Sequence, residues 1–215
     1  MRPGFHSIFV NALTFSRVPL IFGFMVCAVM AHRHDSMGYA AAASALMFFA
    51  GISDLFDGHL ARRWRVVSTF GKLADPLMDK VFFIVSFPTL LWLIGAQGES
   101  VVHSVLMLAF TVLYMLRDQW VTFLRAIASA YQADVSAMWL GKVRTALSFP
   151  AAGIIYLYLA FHSRLPASWN GPFLGTVYLA ETFLIVLNIY SCAVYTRAYW
   201  PYMVRAIHAR QGTAS

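Results

Sequence analysis

Long runs of apolar residues dominate this chain and leave it few ways to fold. Six of them lie over about Val18–Ala31, Met37–Phe56, Lys72–Ile94, Val101–Leu116, Ala146–Phe161 and Phe173–Tyr195. They approach the roughly 20 residues a helix needs to cross a bilayer's hydrocarbon core. The fourth run is expected to continue to Ala130, and the first to extend back to Leu13 or earlier. Met1–Ala12 carries Phe5, Ile8, Phe9 and Ala12 at helical spacing, which predicts a short interfacial helix along the membrane surface. Apolar residues make up 60% of the 215 and charged residues 12%, a balance far from that of soluble domains. The expected fold class is therefore all-α: one polytopic membrane domain, 1–215, with six transmembrane helices plus the N-terminal interfacial helix.

The net charge of +7 does not point to nucleic acid, because the basic residues are scattered between apolar blocks and form no solvated stripe. Membrane lipids and phosphate-bearing substrates are the partners such charges suit. Cys27 and Cys192 both sit inside apolar runs without metal-ligand spacing and imply no disulfide framework. Asn11, Thr14, Ser16 and Arg17 interrupt the first apolar region, so it reads as an uncleaved span rather than a leader. Of 16 Lys and Arg residues, 14 fall at one set of helix ends; only Arg33 and Arg164 fall at the other. By the positive-inside rule both termini are cytoplasmic.

Against this oily background stand Asp54, Asp57, Asp75 and Asp79, four of the chain's nine acidic residues. Carboxylates at membrane depth are costly, which makes the group a candidate site. Asp54 and Asp57 are three apart near the end of the second span; Asp75 and Asp79 are four apart at the start of the third. Each pair shares a helical face, and all four lie on the cytoplasmic side. Protons or cations must neutralise such a group. Oxygen ligands without Cys or His point to magnesium, manganese or calcium, and two cations would suit in-line displacement at phosphorus. Gly58 and Gly71 remove bulk where a ligand must approach, and Arg62 offers a planar fork to phosphate oxygens.

These residues read D-x2-D-G-x2-A-R-x8-G-x3-D-x3-D, which resembles the signature of the CDP-alcohol phosphotransferases at all eight specified positions. Asn11 to Arg17, Asp75-Pro76, Asp79-Lys80 and Leu140 to Thr145 are similar to segments of one branch, the bacterial phosphatidylglycerophosphate synthases. Asp118-Gln119 departs from the Glu-Ile usual there, and Arg144 replaces a lysine. The resemblance implies that the phosphatidyl group of CDP-diacylglycerol passes to sn-glycerol 3-phosphate, with release of CMP. It implies two Mg2+ or Mn2+ ions held by Asp54, Asp57 and Asp75 with help from Asp79, and Asp79 as catalytic base. Gly58, Arg62, Ser68 and Gly71 would line the CDP-lipid site. Asn11 and Arg17 would either join them or anchor the chain at the interface. Arg117, Arg125, Lys142 and Arg144 would take the acceptor phosphate. A homodimer in a bacterial inner membrane is implied as well.

Three rivals stand beside this reading. A sister enzyme could use another acceptor, such as phosphatidylglycerol or an inositol phosphate. Polyprenyl prenyltransferases also pair aspartates on membrane helices, but they lack the intervening G-x2-A-R. An ion transporter would place its carboxylates near mid-bilayer, whereas these cluster at helix ends.

Overall fold

The computed structural model describes residues 5–64, 69–133 and 139–209. Within those ranges the side chains at 5–8, 10, 11, 54–62, 69–76 and 209 fall outside the description. Six α-helices follow one another: α1 (Phe5–His34), α2 (Met37–Arg63), α3 (Thr69–Ala96), α4 (Val101–Ala130), α5 (Trp139–Phe161) and α6 (Ala167–Ala209). A 3-10 turn, His162–Arg164, precedes α6, and no strand occurs among the described residues. Five stretches are long and apolar enough to cross a bilayer: Ala12–His34, Leu77–Ala96, Val101–Ala130, Trp139–Arg164 and Ala167–His208. The second helix adds a shorter apolar stretch, Met37–Ser53. The expected interfacial segment is continuous in helical backbone with the first span, and α1 carries Pro19 within it. Most helices outrun their apolar runs, because backbone hydrogen bonding continues after the hydrocarbon ends. Helix α5 thus starts at Trp139 and encloses Lys142 and Arg144.

Contacts divide the chain into two units, Met1–Ser104 with Ala152–Leu174, and Val105–Ala151 with Gly175–Ser215. In the first, α1 packs on α2 and α3. Ile21, Phe24 and Ala28 of α1, the small row Ala40, Ala43 and Ala50 of α2, and Phe83, Phe87 and Leu90 of α3 are buried. Small side chains let helix backbones approach where lipid supplies no hydrophobic drive. In the second unit, Val121, Leu124 and Ala128 of α4 pack with Tyr195 and Tyr199 of α6.

The distribution of polarity is that of a chain solvated by lipid. Phe48, Phe49, Leu179, Val186 and Ile189 are exposed, while Arg17, Arg117, Arg144, His103, Glu181 and Asn188 are buried. Soluble proteins bury charge only rarely. Hydroxyls inside the helices turn back onto their own carbonyls: Ser44 on Ala40, Thr89 on Val85, Ser148 on Arg144 and Thr196 on Cys192. Such bonds satisfy a donor where water is absent. The chain is an integral membrane protein. Cys27 and Cys192 are free thiols.

At the end of the first unit that holds the α1–α2 and α3–α4 connections, polar residues tie the loops. Arg164 donates to Asp35 at 2.8 Å. The Glu99 carboxylate lies 3.7 Å from His103 Nδ1 and 3.5 Å from His162 Nε2. Three helices stop by one device, a residue in the left-handed region: Asp35 (φ 45°), Gly98 (φ 70°) and Gln132 (φ 57°). The amide one residue further on then returns to a helix carbonyl: Ser36 to Ala31, Glu99 to Ile94 and Ala133 to Ala128. A Cβ at Gly98 would meet nothing within 4 Å, so the cost of a side chain there is backbone strain alone. Gly98→Ala should therefore lower stability by about 1 kcal/mol, read as a lower unfolding temperature in detergent micelles.

Candidate active site

One candidate cluster, the acidic one, belongs to the first unit. Helix α2 carries Asp54, Asp57, Gly58 and Arg62 in its last turns, and α3 carries Gly71 and Asp75 in its first. The side chains of these six, the side chain of Asn11 and the whole of Ser68 lie outside the described residues. Among the described residues no three His, Cys, Asp or Glu side chains are grouped to hold an ion. Three of the four expected ligands are not among them. The described member, Asp79, sits on α3 where α1 packs against it.

There Arg17 Nη1 donates to Asp79 Oδ1 at 2.7 Å. Arg17 is 1% exposed, and the Asp79 side chain 31%. A guanidinium this deeply buried is not reaching for the interface, so anchoring does not account for Arg17. Instead it fixes one oxygen of a carboxylate that keeps an open side. Thr14, one turn earlier on the same face of α1, is also buried.

A second candidate cluster, a basic one, belongs to the second unit and centres on Asp118 of α4. Its Oδ1 accepts from Arg144 Nη2 at 2.8 Å and, more weakly, from Arg117 Nη1 at 3.4 Å. Both arginines are buried, at 7% and 3% exposure for Arg117 and Arg144. Each also lies over a tyrosine ring: Arg117 4.8 Å from the Tyr195 centroid, Arg144 4.0 Å from that of Tyr114. The delocalised guanidinium suits both uses. Helix α6 completes the arrangement. Ser191 Oγ accepts from Arg117 Nη2 at 2.5 Å, and Asn188 Oδ1 accepts from Arg144 Nη1 at 3.0 Å.

Of the four cationic residues expected to converge, Arg117 and Arg144 do so. Arg125 is half-buried two turns further along α4, and Lys142 is exposed on α5. Tyr114, Asp118, Asn188, Ser191 and Tyr195 went unread as site residues. Their signal was faint: Asn188, Ser191 and Tyr195 recur at i, i+3 and i+7 within a largely apolar stretch of α6. Arg117 Nε and Arg144 Nε, like the Nε atoms of Arg17 and Arg125, are buried without an acceptor among the described residues. Orphaned buried N–H groups are rare, and an anion is one physical reason for a pair of them.

Comparison with known proteins agrees with this chemistry. A family model described as CDP-alcohol phosphatidyltransferase matches residues 8–200. A CDP-diacylglycerol–glycerol-3-phosphate 3-phosphatidyltransferase of Mycoplasma genitalium is 32% identical over 154 residues, covering 70% of this chain and 60% of that protein. Proteins of the same name from Mycoplasma pneumoniae and Cereibacter sphaeroides are 33% and 29% identical. They share 70% and 68% of this chain and 65% and 62% of their own lengths. This chain thus spans less than two thirds of the length of these three relatives.

The Arg17–Asp79 pair should behave as a coupled unit. Arg17→Met and Asp79→Asn should each destabilise the protein, and the double change should cost less than their sum. The coupling should be about 1–3 kcal/mol, as for a hydrogen bond to a charged group. Unfolding of the four variants in detergent measures it; additive effects would mean that the pair contributes nothing in solution.

Proposed function

The chain belongs to the CDP-alcohol phosphatidyltransferase family, and from that premise we propose that it moves the phosphatidyl group of CDP-diacylglycerol to sn-glycerol 3-phosphate and releases CMP. The observation that carries the choice of a phosphorylated acceptor is the convergence of Arg117 and Arg144, with two buried N–H donors lacking acceptors among the described residues, on one side-chain cluster. A small phosphorylated alcohol needs such a cationic seat; a neutral alcohol does not. The names borne by the relatives favour the same acceptor.

The donor set suits hard divalent cations: four carboxylates, no thiol and no imidazole. Asp54, Asp57 and Asp75 would hold two Mg2+ or Mn2+ ions, with Asp79 beside them. When bound, these ions supply charge neutralisation to the pyrophosphate and to the departing oxygen. Gly58, Arg62, Ser68, Gly71 and Asn11 line the nucleotide side. Asp79, oriented by Arg17, takes the proton from the acceptor's primary hydroxyl as that oxygen attacks the phosphorus bearing the diacylglycerol ester. The phosphorus–oxygen bond to CMP breaks, and CMP departs with the bonding electrons. Arg117 and Arg144 hold the acceptor phosphate, while Arg125 and Lys142 raise the local concentration of the anion. By the positive-inside rule both clusters would face the cytoplasm, and the membrane would be a bacterial inner membrane. The donor then arrives through the lipid and the acceptor through water.

Purified protein given CDP-diacylglycerol and Mg2+ should release CMP only when glycerol 3-phosphate is added, and chelation of divalent ions should abolish release. Faster release with phosphatidylglycerol or inositol phosphate would transfer the assignment to a sister activity. Asp79→Asn should lower turnover by at least ~100-fold, the usual contribution of a general base, while CDP-diacylglycerol binding persists. Loss of binding would make Asp79 chiefly a metal ligand.

A further inference from the structure

Helix α6 carries none of the signature motifs, yet three of its residues reach the two arginines. Asn188, Ser191 and Tyr195 form one stripe, exposed by 1%, 0% and 2%. Asn188 Nδ2 donates to the Leu184 carbonyl at 2.8 Å. That bond fixes the amide so that Oδ1 faces Arg144 Nη1 at 3.0 Å. Ser191 Oγ holds Arg117 Nη2 at 2.5 Å. Tyr195 lies beneath the Arg117 guanidinium, and its hydroxyl rests against the backbone of α5 at Gly141. A Cβ built at Gly141 would lie 2.7 Å from that hydroxyl and 3.6 Å from Arg117 Nη2. Glycine at 141 is thus what admits the tyrosine.

Each contact restrains an arginine without adding a charge. Asp118 alone would leave both guanidinium groups free to rotate about one carboxylate. The neutral oxygens of α6 hold the outer Nη of each, so the two forks are fixed in orientation before a ligand arrives. We propose that the Asn188–Ser191–Tyr195 edge of α6 is the positioning element of the acceptor-phosphate seat and sets the affinity for the phosphorylated acceptor. This rests on the reading of Arg117 and Arg144 as that seat. It gives the last helix a part in the reaction through hydrogen bonds to α4 and α5.

A kinetic split tests it. Ser191→Ala removes one oxygen atom, and Asn188→Leu is close to isosteric. In full-length protein, each should raise the KM for glycerol 3-phosphate roughly tenfold, as the loss of one hydrogen bond to a charged group implies. The KM for CDP-diacylglycerol should stay within about twofold, well below that tenfold effect. Should Asn188→Leu fail to fold, Ser191→Ala decides alone. A lowered unfolding temperature with both KM values unchanged would overturn the proposal and leave the stripe as packing. Equal increases in both KM values would overturn it too. Wild-type protein that released CMP no faster with glycerol 3-phosphate would sink the acceptor reading itself. A normal wild type beside an unaltered Ser191→Ala would sink only the role of α6.

Discussion

A guanidinium drawn into a bundle that faces hydrocarbon must carry its counter-charge with it, because lipid tails supply none and water is absent. The described part of this protein is arranged around that requirement. Arg17 is inside α1 because Asp79 meets it from α3. Arg144 and Arg117 are inside because Asp118 stands between them, with neutral oxygens from α6 on their outer nitrogens. At the other end of the first unit the Glu99 carboxylate lies beside His103 and His162. Hydroxyls obey a weaker form of the rule and bond to carbonyls of their own helices. Where lipid will accept the surface, phenylalanine and leucine are exposed instead.

The same requirement explains what could be read from the sequence. The spans were legible because apolar runs of bilayer length have few other uses, and Asp79 because a complete eight-position motif surrounds it. Helix ends were less so. Charge marks where the hydrocarbon stops, but the hydrogen-bonded backbone of α5 begins earlier, at Trp139, and that of α6 runs on to Ala209. Arg17 showed its presence but not its partner, since the ion pair joins residues 62 positions apart and depends on how α1 packs on α3. Asp118 was visible only as a departure from the synthase pattern. Its role is defined by Arg144, 26 residues later. The α6 stripe had the right spacing, yet serine and tyrosine are tolerated in any span, so hydropathy alone gives them no weight.

The acidic and basic clusters would also differ in what they ask of a ligand. Four carboxylates within one short window of sequence repel one another unless protons or cations neutralise them. The arginine cluster is already balanced in part. Two guanidinium groups and one carboxylate leave a single net positive charge, and the cluster can stand without a bound anion. On the proposed reading, a donor site completed by cations and an acceptor site already balanced would suit a transfer between a lipid-borne nucleotide and a soluble phosphate.

If the arginine cluster is the proposed phosphate seat, a carboxylate in its middle looks self-defeating, and the geometry argues otherwise. Without Asp118, two buried like charges would repel, and each would gain by swinging toward water. The seat would then have to be rebuilt at every binding event, at a cost in side-chain order of about 0.5–1.5 kcal/mol for each arginine. With Asp118 the forks are held in advance, while their Nε–H groups remain without acceptors. On that reading an incoming dianion carries more charge than the carboxylate and competes with it for the guanidinium donors. The repulsion between phosphate and Asp118 then weakens ground-state affinity somewhat, which a small metabolite that must leave as part of the product tolerates. Arginine at 144, in place of the lysine of the synthases, fits this account. Its fork serves Asp118 through Nη2, Asn188 through Nη1 and retains Nε for a third partner, a division that a single ammonium on a flexible stem does not hold in one plane.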